Sequence, residues 1–236
     1  MCGIGKGVRV PGNLGSWSTT EIAARPDDAS SAGWLCRPPA RRHGARALVL
    51  HPWWGLNGTM KAFWDRLAGS GFLTFAPDPY QGEVANTIPE VEVLENALDA
   101  NFLQARSEIA EATRFLVEYA GRDGHGRVMI GFSRGAYYAL DLAAVDPEHI
   151  RPVVVFQGAG DSNSGNSRAD YLGQFAEKDE CEPPTNIDRL EQSLRYAGRM
   201  LTSYRYSGTG HWFFEPAATD IYRGRPIWRG IEPWPS

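Results

Sequence analysis

One serine in this chain occupies a position where its hydroxyl could act as a nucleophile. Ser133 is the middle residue of Gly131-Phe132-Ser133-Arg134-Gly135, which follows the apolar run 127–130 and precedes a helical pattern of small residues. A strand that enters a helix through Gly-x-Ser-x-Gly predicts a nucleophile elbow, a turn so tight that the serine adopts a strained backbone conformation. Glycines on both sides remove the Cβ atoms that would collide there. The hydroxyl then points outward at the positive end of the helix.

A serine hydroxyl is a weak nucleophile near neutral pH, so it needs a general base that is oriented by an acid. After a nucleophile elbow, the chain order of these groups is Ser, then Asp or Glu, then His. Of the five histidines, two follow Ser133. His149 falls at the tail of a predicted helix, whereas His211 stands in the glycine-containing loop 207–213, directly after the last predicted strand. We therefore predict that His211 is the base.

Two aspartates compete for the role of the acid. Asp179 follows the predicted strand that ends at Ala176, and Asp161 follows the strand before it. The order of strands and triad residues along the chain favours Asp179 and keeps Asp161 as the alternative. The glutamates around Asp179 are interpreted as solvated neighbours; they are Glu177, Glu180 and Glu182.

Acyl transfer also needs two backbone N–H groups that bind the oxyanion of the tetrahedral intermediate. The residue after the nucleophile, Arg134, is expected to supply one of them, and the turn after the third strand is expected to supply the other. That turn is His51-Pro52-Trp53-Trp54-Gly55. Because proline has no N–H, Trp53 is the predicted donor.

All of these positions depend on strands that alternate with helices. Predicted strands cover 19–24, 33–37, 45–51, 72–76, 127–130, 152–156, 169–176 and 201–206, and predicted helices cover 59–69, 90–120, the segment after the elbow and 186–200. This alternation predicts a mostly parallel sheet with helices on both faces, and the polar turn between the first two strands predicts an antiparallel edge hairpin. The loops that follow parallel strands meet at one edge, where ligands bind. We interpret residues 1–18 as a glycine-rich arm and residues 19–236 as one α/β domain.

Composition excludes several classes of function. The 236 residues carry a net charge of −4, which argues against a nucleic-acid partner. No apolar run is long enough to span a bilayer and the first residues lack the apolar core of a secretory signal, so we expect a cytoplasmic protein without a membrane partner. Cys2, Cys36 and Cys181 are widely spaced and predict free thiols rather than a disulfide framework or a zinc site. The sequence leaves open whether the chain forms a homo-oligomer.

Taken together, these segments resemble the dienelactone hydrolase family of the α/β-hydrolase superfamily. The resemblance covers about residues 20–225 and rests on the segments 48–57 and 76–80, the elbow, Asp179 with Pro183, and the segment 210–213. It implies the α/β-hydrolase fold without a large lid. It also implies hydrolysis of a small ester or lactone with neither a cofactor nor a metal.

Three positions depart from the best-known members of that family. This chain has Ser133 where they have a cysteine, Pro52 where they have a glutamate that helps to activate the thiol, and Glu215 where they have an arginine that holds the substrate carboxylate. The first two changes predict ordinary serine-esterase chemistry, in which the hydroxyl pairs directly with His211. The third predicts a substrate other than dienelactone, because an acidic residue repels a carboxylate.

Aromatic residues are expected to shape the substrate pocket. Those near the predicted active edge are Trp53, Trp54, Tyr80, Phe132, Trp212 and Phe213, and packing of these rings in the core is the alternative. The sequence thus predicts a serine hydrolase that cleaves a small ester or lactone through an acyl-enzyme. The alternatives are a thioesterase or small peptidase with the same triad, and a non-enzymatic binding protein that retains the fold.

Overall fold

The computed structural model describes residues 18–22, 33–37, 45–120, 127–160 and 164–215. Eight strands form one sheet: β1 (Ser18–Ile22), β2 (Gly33–Arg37), β3 (Arg46–Leu50), β4 (Leu73–Pro77), β5 (Arg127–Phe132), β6 (Ile150–Phe156), β7 (Asp170–Ala176) and β8 (Leu201–Tyr206). Across the sheet they follow the order β1-β2-β4-β3-β5-β6-β7-β8. Strand β2 pairs antiparallel with both β1 and β4, whereas every pair from β4 onward to β8 is parallel.

The described residues also form five α-helices: α1 (Gly58–Gly69), α2 (Ile88–Ala100), α3 (Phe102–Ala120), α4 (Arg134–Val145) and α5 (Pro184–Tyr196). A short 3₁₀ turn covers Ser164–Asn166. Most of these helices connect one parallel strand to the next, which is the connection that parallel strands need. Helices α2 and α3 both lie in the connection from β4 to β5.

Strand β3 shows how the two faces of the sheet are covered. Leu48 and Leu50 pack into one apolar core with residues of α3, α4 and α5. Ala47 and Val49 point to the opposite face and join a second core with Met60 and other residues of α1. Side chains alternate along a strand, so a strand that is buried on both faces has a continuous apolar sequence, as residues 47–50 of β3 do.

The prediction of one helix over 90–120 is wrong, because Asn101 divides this segment into α2 and α3. Its backbone N–H donates to Leu98 O at 3.1 Å and its side-chain Nδ2 donates to Ala97 O at 2.8 Å, which ends α2. Its carbonyl oxygen accepts from Ala105 N at 3.0 Å in the first turn of α3. Asparagine competes well for such helix-end hydrogen bonds, and the apolar periodicity on either side does not reveal the break.

The predicted fold class is confirmed: the sheet is mostly parallel, helices cover both of its faces, and an antiparallel strand pair lies at one edge. Within the described ranges, the chain has no helix with the length and apolar character needed to cross a membrane. The division into an arm and one domain stays a prediction, since all but the last residue of the arm lies outside the described residues.

Candidate active site

The turn between β5 and α4 holds Ser133 in a strained conformation. Its backbone angles are φ 46° and ψ −110°, a region that residues with a side chain rarely adopt. Ser133 N donates to Phe156 O at 2.7 Å, and Ser133 O accepts from Ala136 N at 2.9 Å. The first bond ties this residue to β6 and the second begins α4. Together they hold Ser133 at the carboxyl edge of the sheet.

Close backbone approach on both sides of Ser133 requires glycine. A Cβ on Gly131 would lie 2.4 Å from Gly135 O, and a Cβ on Gly135 would lie 2.4 Å from Leu50 O and 2.7 Å from His51 O. These neighbours are backbone atoms, so they cannot rotate away as a flexible side chain could. The elbow therefore packs directly on the end of β3, where the turn that contains Trp53 begins.

Three side chains from three different loops meet at this edge. Ser133 Oγ lies 3.0 Å from His211 Nε2, and His211 Nδ1 lies 2.8 Å and 2.9 Å from the two carboxylate oxygens of Asp179. The side chains of His211 and Asp179 are only 5% and 2% exposed. With Nδ1 bonded to the carboxylate, Nε2 is the nitrogen that can accept the Ser133 proton. The structure thus brings together the three residues predicted to form the triad.

The loop after β7 orients the Asp179 carboxylate. Its Oδ1 accepts from Cys181 N at 2.9 Å and from Glu182 N at 2.7 Å. Lys178 N donates to Thr209 O at 2.8 Å, which ties this loop to the loop that carries His211. The other aspartate considered for the role, position 161, lies outside the described residues.

The interpretation of Glu182 as a solvated neighbour is wrong. The residue is 3% exposed, and burial raises the pKa of its carboxyl. Its Oε2 accepts from Ala159 N at 2.9 Å and its Oε1 accepts from Asn186 Nδ2 at 2.7 Å. The carboxyl therefore joins the loop after β7 to the loop after β6 and to α5. Glu177 and Glu180 are exposed, as the sequence predicts.

The two predicted oxyanion donors stand next to the elbow. Arg134 is the first residue of α4, so its backbone N–H has no acceptor within the helix. Trp53 lies in a turn that closes through Gly55 N and Pro52 O at 3.1 Å. His51 Nδ1 donates to the same Pro52 oxygen at 2.7 Å, which fixes this turn from a second direction. The roles of the two N–H groups stay predictions.

Two of the predicted pocket residues connect the turn that contains Trp53 to the loop that contains His211. The rings of Trp54 and Trp212 contact edge to face, with centroids 5.6 Å apart. Val91 of α2 belongs to the same buried cluster. The ring of Phe213 instead lies 5.0 Å from that of Tyr206. Helix α2 therefore forms a third side of the region around the triad.

Phe132, another predicted pocket residue, lies in the core beneath the elbow. It has no exposed surface and stacks on Phe156 with ring centroids 4.5 Å apart. Phe63 and Phe214 pack against it at 5.2 Å and 4.8 Å. In a strand that is buried on both faces, the residue before the nucleophile points to the face opposite its neighbour. The core-packing alternative fits this ring.

Comparison with known proteins identifies the family of this chain. The family model described as the dienelactone hydrolase family matches residues 32–226. The chain belongs to this family. A protein of Aquifex aeolicus named as a carboxymethylenebutenolidase is 28% identical over 215 residues, which are 86% of this chain and 88% of that protein. A protein of Aquifex pyrophilus named usf is 27% identical over 206 residues, 83% of this chain and 88% of that protein.

Solved structures support the same fold. A dienelactone hydrolase-like promiscuous phosphotriesterase from metagenomic libraries superposes with a TM-score of 0.74 at 18% identity, covering 88% of this chain and 87% of its own. The predicted resemblance to dienelactone hydrolases is confirmed. So is the prediction, at the level of the family, of a hydrolase that acts on carboxylic ester bonds.

Glu215, the third position at which this chain is expected to differ from the best-known members of the family, is buried. It is 1% exposed, and its Oε1 accepts from Asn57 Nδ2 at 2.9 Å. Burial raises the pKa of Glu215 to about 7. The carboxyl thus faces Asn57 rather than solvent. The predicted repulsion of a substrate carboxylate would therefore come from a buried group.

The guanidinium of Arg134 makes contacts that the sequence analysis missed. Its Nε lies 3.0 Å from Glu95 Oε1, and a terminal nitrogen pairs with Asp99. Tyr80, a predicted pocket residue, donates its hydroxyl to Glu95 Oε2 at 3.1 Å. Burial, followed by the charge of Glu95, raises the pKa of Tyr80, so the phenol stays protonated. The spacing of Glu95 and Asp99, four residues apart on α2, was the signal in the sequence for this ion-pair cluster.

One group of described side chains has the donor types of a metal site. Asp179, Cys181 and His211 offer ligand atoms that all lie within 4.8 Å of one another. The carboxylate and the imidazole are already hydrogen-bonded to each other, and Cys181 is an exposed free thiol. We therefore interpret Asp179 and His211 as members of the predicted triad and Cys181 as a neighbouring free thiol. The absence of a metal and of a cofactor stays a prediction.

We expect Gly135→Ala to destabilise the elbow, because the added Cβ would lie 2.4 Å from Leu50 O. The free energy of unfolding should fall by about 1–3 kcal/mol, as in other overpacked cores. Gly58→Ala is the matched control, since no atom lies within 4 Å of a Cβ at that position. Urea denaturation checks both variants, and equal stability of the two would contradict the close packing described above.

We expect Glu215→Gln to change how stability depends on pH. The folded-state pKa of about 7 lies above the ordinary glutamate value of 4.5, so the unfolded chain releases this proton more easily. Wild-type stability should therefore fall as pH rises from about 4.5 to 7, by about 3 kcal/mol from this group. Glutamine does not titrate, so the variant should lose that much less stability between pH 5 and pH 8. Urea denaturation at both pH values measures the difference, and parallel losses would contradict the burial effect.

Proposed function

We propose that this protein is a serine hydrolase that cleaves a small ester or lactone through a covalent acyl-enzyme. The observation that carries the proposal is the hydrogen-bonded series from Ser133 Oγ through His211 to Asp179, with separations of 3.0 Å and 2.8 Å. Such a series is the arrangement that activates a serine hydroxyl. It stands on a strained elbow in a chain of the dienelactone hydrolase family, which gives independent support.

The first half of the reaction forms the acyl-enzyme. Ser133 Oγ attacks the carbonyl carbon while His211 Nε2 takes the hydroxyl proton, and Asp179 stabilises the imidazolium that results. The backbone N–H groups of Arg134 and Trp53 bind the oxyanion. As the intermediate collapses, the bond to the leaving oxygen breaks, and His211 returns its proton to that oxygen. In a lactone the leaving alcohol stays attached to the acyl group.

The second half of the reaction releases the carboxylic acid product. A water molecule donates its proton to His211 Nε2 and attacks the acyl carbon, and the same two N–H groups bind the second oxyanion. The bond from the acyl carbon to Ser133 Oγ then breaks, and the serine recovers its proton from the imidazolium. The products are a carboxylic acid and an alcohol, or one hydroxy acid from a lactone.

The surroundings of the triad favour a substrate with an apolar group and no carboxylate of its own. Trp54, Trp212 and Val91 form a buried apolar cluster beside the loops that carry the triad. The partly exposed side chains of Trp53 and Ile88 pack on it. The guanidinium of Arg134, the residue next to the nucleophile, is occupied by Glu95 and Asp99. An anionic substrate group would have to compete with these carboxylates. We therefore propose a small neutral ester or lactone.

Replacement of the nucleophile tests this proposal. Ser133→Ala should lower kcat on p-nitrophenyl acetate about a millionfold, as in other serine triads, because no other group can form the acyl-enzyme. It should also abolish labelling by a fluorophosphonate. Ser70→Ala is the control, because this exposed hydroxyl only donates to Arg66 O at 3.1 Å. A wild-type protein that is not labelled would favour the non-enzymatic alternative, and a panel of esters, thioesters and amides would reveal a thioesterase or peptidase.

Replacement of the acid tests the assignment of Asp179. Asp179→Asn should lower kcat about ten-thousandfold, because an amide presents the wrong tautomer of His211 to the serine. The unfolding midpoint should be compared with that of the wild type to exclude a folding defect. Asp161→Asn is the comparison variant and should retain activity. The reverse pattern in the ester assay would transfer the role of the acid to Asp161.

A further inference from the structure

One partly buried hydrogen bond joins the loop after β3 to the loop that carries His211. Asn57 Nδ2 donates to Glu215 Oε1 at 2.9 Å, although the two residues are 158 positions apart. Trp53, the predicted oxyanion donor, stands four residues before Asn57, and His211 stands four residues before Glu215. The mechanism proposed above uses neither Asn57 nor Glu215.

The orientation of the Asn57 amide is fixed by its own loop. Its Oδ1 accepts from Met60 N at 3.1 Å as the N-cap of α1. Its backbone N–H donates to Gly55 O at 2.9 Å, and its backbone oxygen accepts from Lys61 N at 3.0 Å. Because the amide oxygen serves the helix, the amide nitrogen must be the group that faces Glu215.

The Glu215 side of the bond is equally well held. Its backbone N–H donates to Trp212 O at 2.8 Å, directly after the turn that Phe213 N closes on Gly210 O at 3.1 Å. These two bonds make the segment 210–215 a compact unit that contains His211. Burying a carboxyl costs free energy, so a carboxyl that is 1% exposed here needs a compensating partner. Asn57 provides a donor for it.

We propose that Asn57 and Glu215 are a positioning pair, whose hydrogen bond sets the separation between the oxyanion donor on one loop and the base on the other. This inference rests on the proposed function. Each loop is closed by its own backbone hydrogen bonds, and this side-chain bond and the Trp54–Trp212 contact hold one loop against the other. A shift of the oxyanion N–H relative to the imidazole would weaken binding of the transition state while leaving the ground state almost unaffected.

Two substitutions can reverse the direction of this hydrogen bond, which tests the positioning role directly. Asn57→Asp keeps the oxygen that caps α1 but replaces the donor with an acceptor, so two acceptors face each other when the assay is run at pH 9, above the Glu215 pKa of about 7. We expect kcat on p-nitrophenyl acetate to fall tenfold to a hundredfold with KM within twofold of wild type, as expected for a small misplacement of catalytic groups. Adding Glu215→Gln supplies an amide donor in the opposite direction. The double variant should recover kcat to within about fivefold of wild type.

Two control variants separate positioning from stability. Asn101→Asp makes the same chemical change at an exposed helix end and should leave kcat unchanged. Asn57→Ser keeps a good helix cap without a donor that reaches Glu215, so it replaces Asn57→Asp if that variant does not fold. Each variant is assayed well below its own unfolding midpoint. A loss of kcat that the double variant does not recover would overturn the inference.

Fluorophosphonate labelling distinguishes the failure of this inference from that of the proposed function. A wild-type protein without labelling would refute the serine-hydrolase proposal itself. If the wild type is labelled, Asn57→Asp should be labelled to the same final stoichiometry but about tenfold or more slowly, since the same base and oxyanion donors serve that reaction. Labelling of Asn57→Asp at the wild-type rate would overturn only the positioning role.

Discussion

The strained backbone of Ser133 is the constraint on which the rest of the site depends. A side-chain-bearing residue at φ 46° costs about 1–3 kcal/mol and persists only where its surroundings hold it. Here the surroundings are a strand on each side: Phe156 O binds the serine N–H, and Gly135 packs against the carbonyls that end β3. The central position of β5 in the parallel sheet therefore does more than bury apolar surface. It places two neighbouring strand ends where they hold the proposed nucleophile at the carboxyl edge of the sheet, and it brings the turn that contains Trp53 against the start of α4.

Around Ser133, the proposed nucleophile, the site is assembled from loops that bind one another. The backbone bond from Lys178 to Thr209 ties the loop of Asp179 to the loop of His211. The buried carboxyl of Glu182 ties the loop of Asp179 to the loop after β6. Buried polar groups of this kind are costly when unpaired, so each bond selects one arrangement of the loops over others. A triad made of three separate loops can keep distances near 3 Å only because such cross-links remove the freedom that each loop would have alone.

Arg134, which follows Ser133, contributes to the site through both its backbone and its side chain. The backbone N–H of Arg134 begins α4 at the proposed oxyanion site, while its guanidinium pairs with two carboxylates of α2. Helix α2 also contributes Val91 to the cluster around Trp54 and Trp212. The same residue thus connects the chemistry of the elbow with the helix that borders the proposed pocket. Occupation of the guanidinium also removes a cation that could otherwise have attracted an anionic substrate.

Signals within short segments of sequence were enough to predict the strands, the elbow and the candidates Ser133, His211 and Asp179, which the structure brings within hydrogen-bond distance. A buried strand, a Gly-x-Ser-x-Gly turn and the order of the triad can each be read locally. Other features were decided by the tertiary structure. Asn101 ends one helix and begins another inside a continuous apolar pattern, Glu182 is buried among charged neighbours that stay exposed, and Phe132 packs beneath the elbow. The bond between Asn57 and Glu215 spans 158 positions. Each of these depends on which groups from distant parts of the chain lie within hydrogen-bond or van der Waals reach, and only the folded arrangement of the sheet and its loops sets those distances.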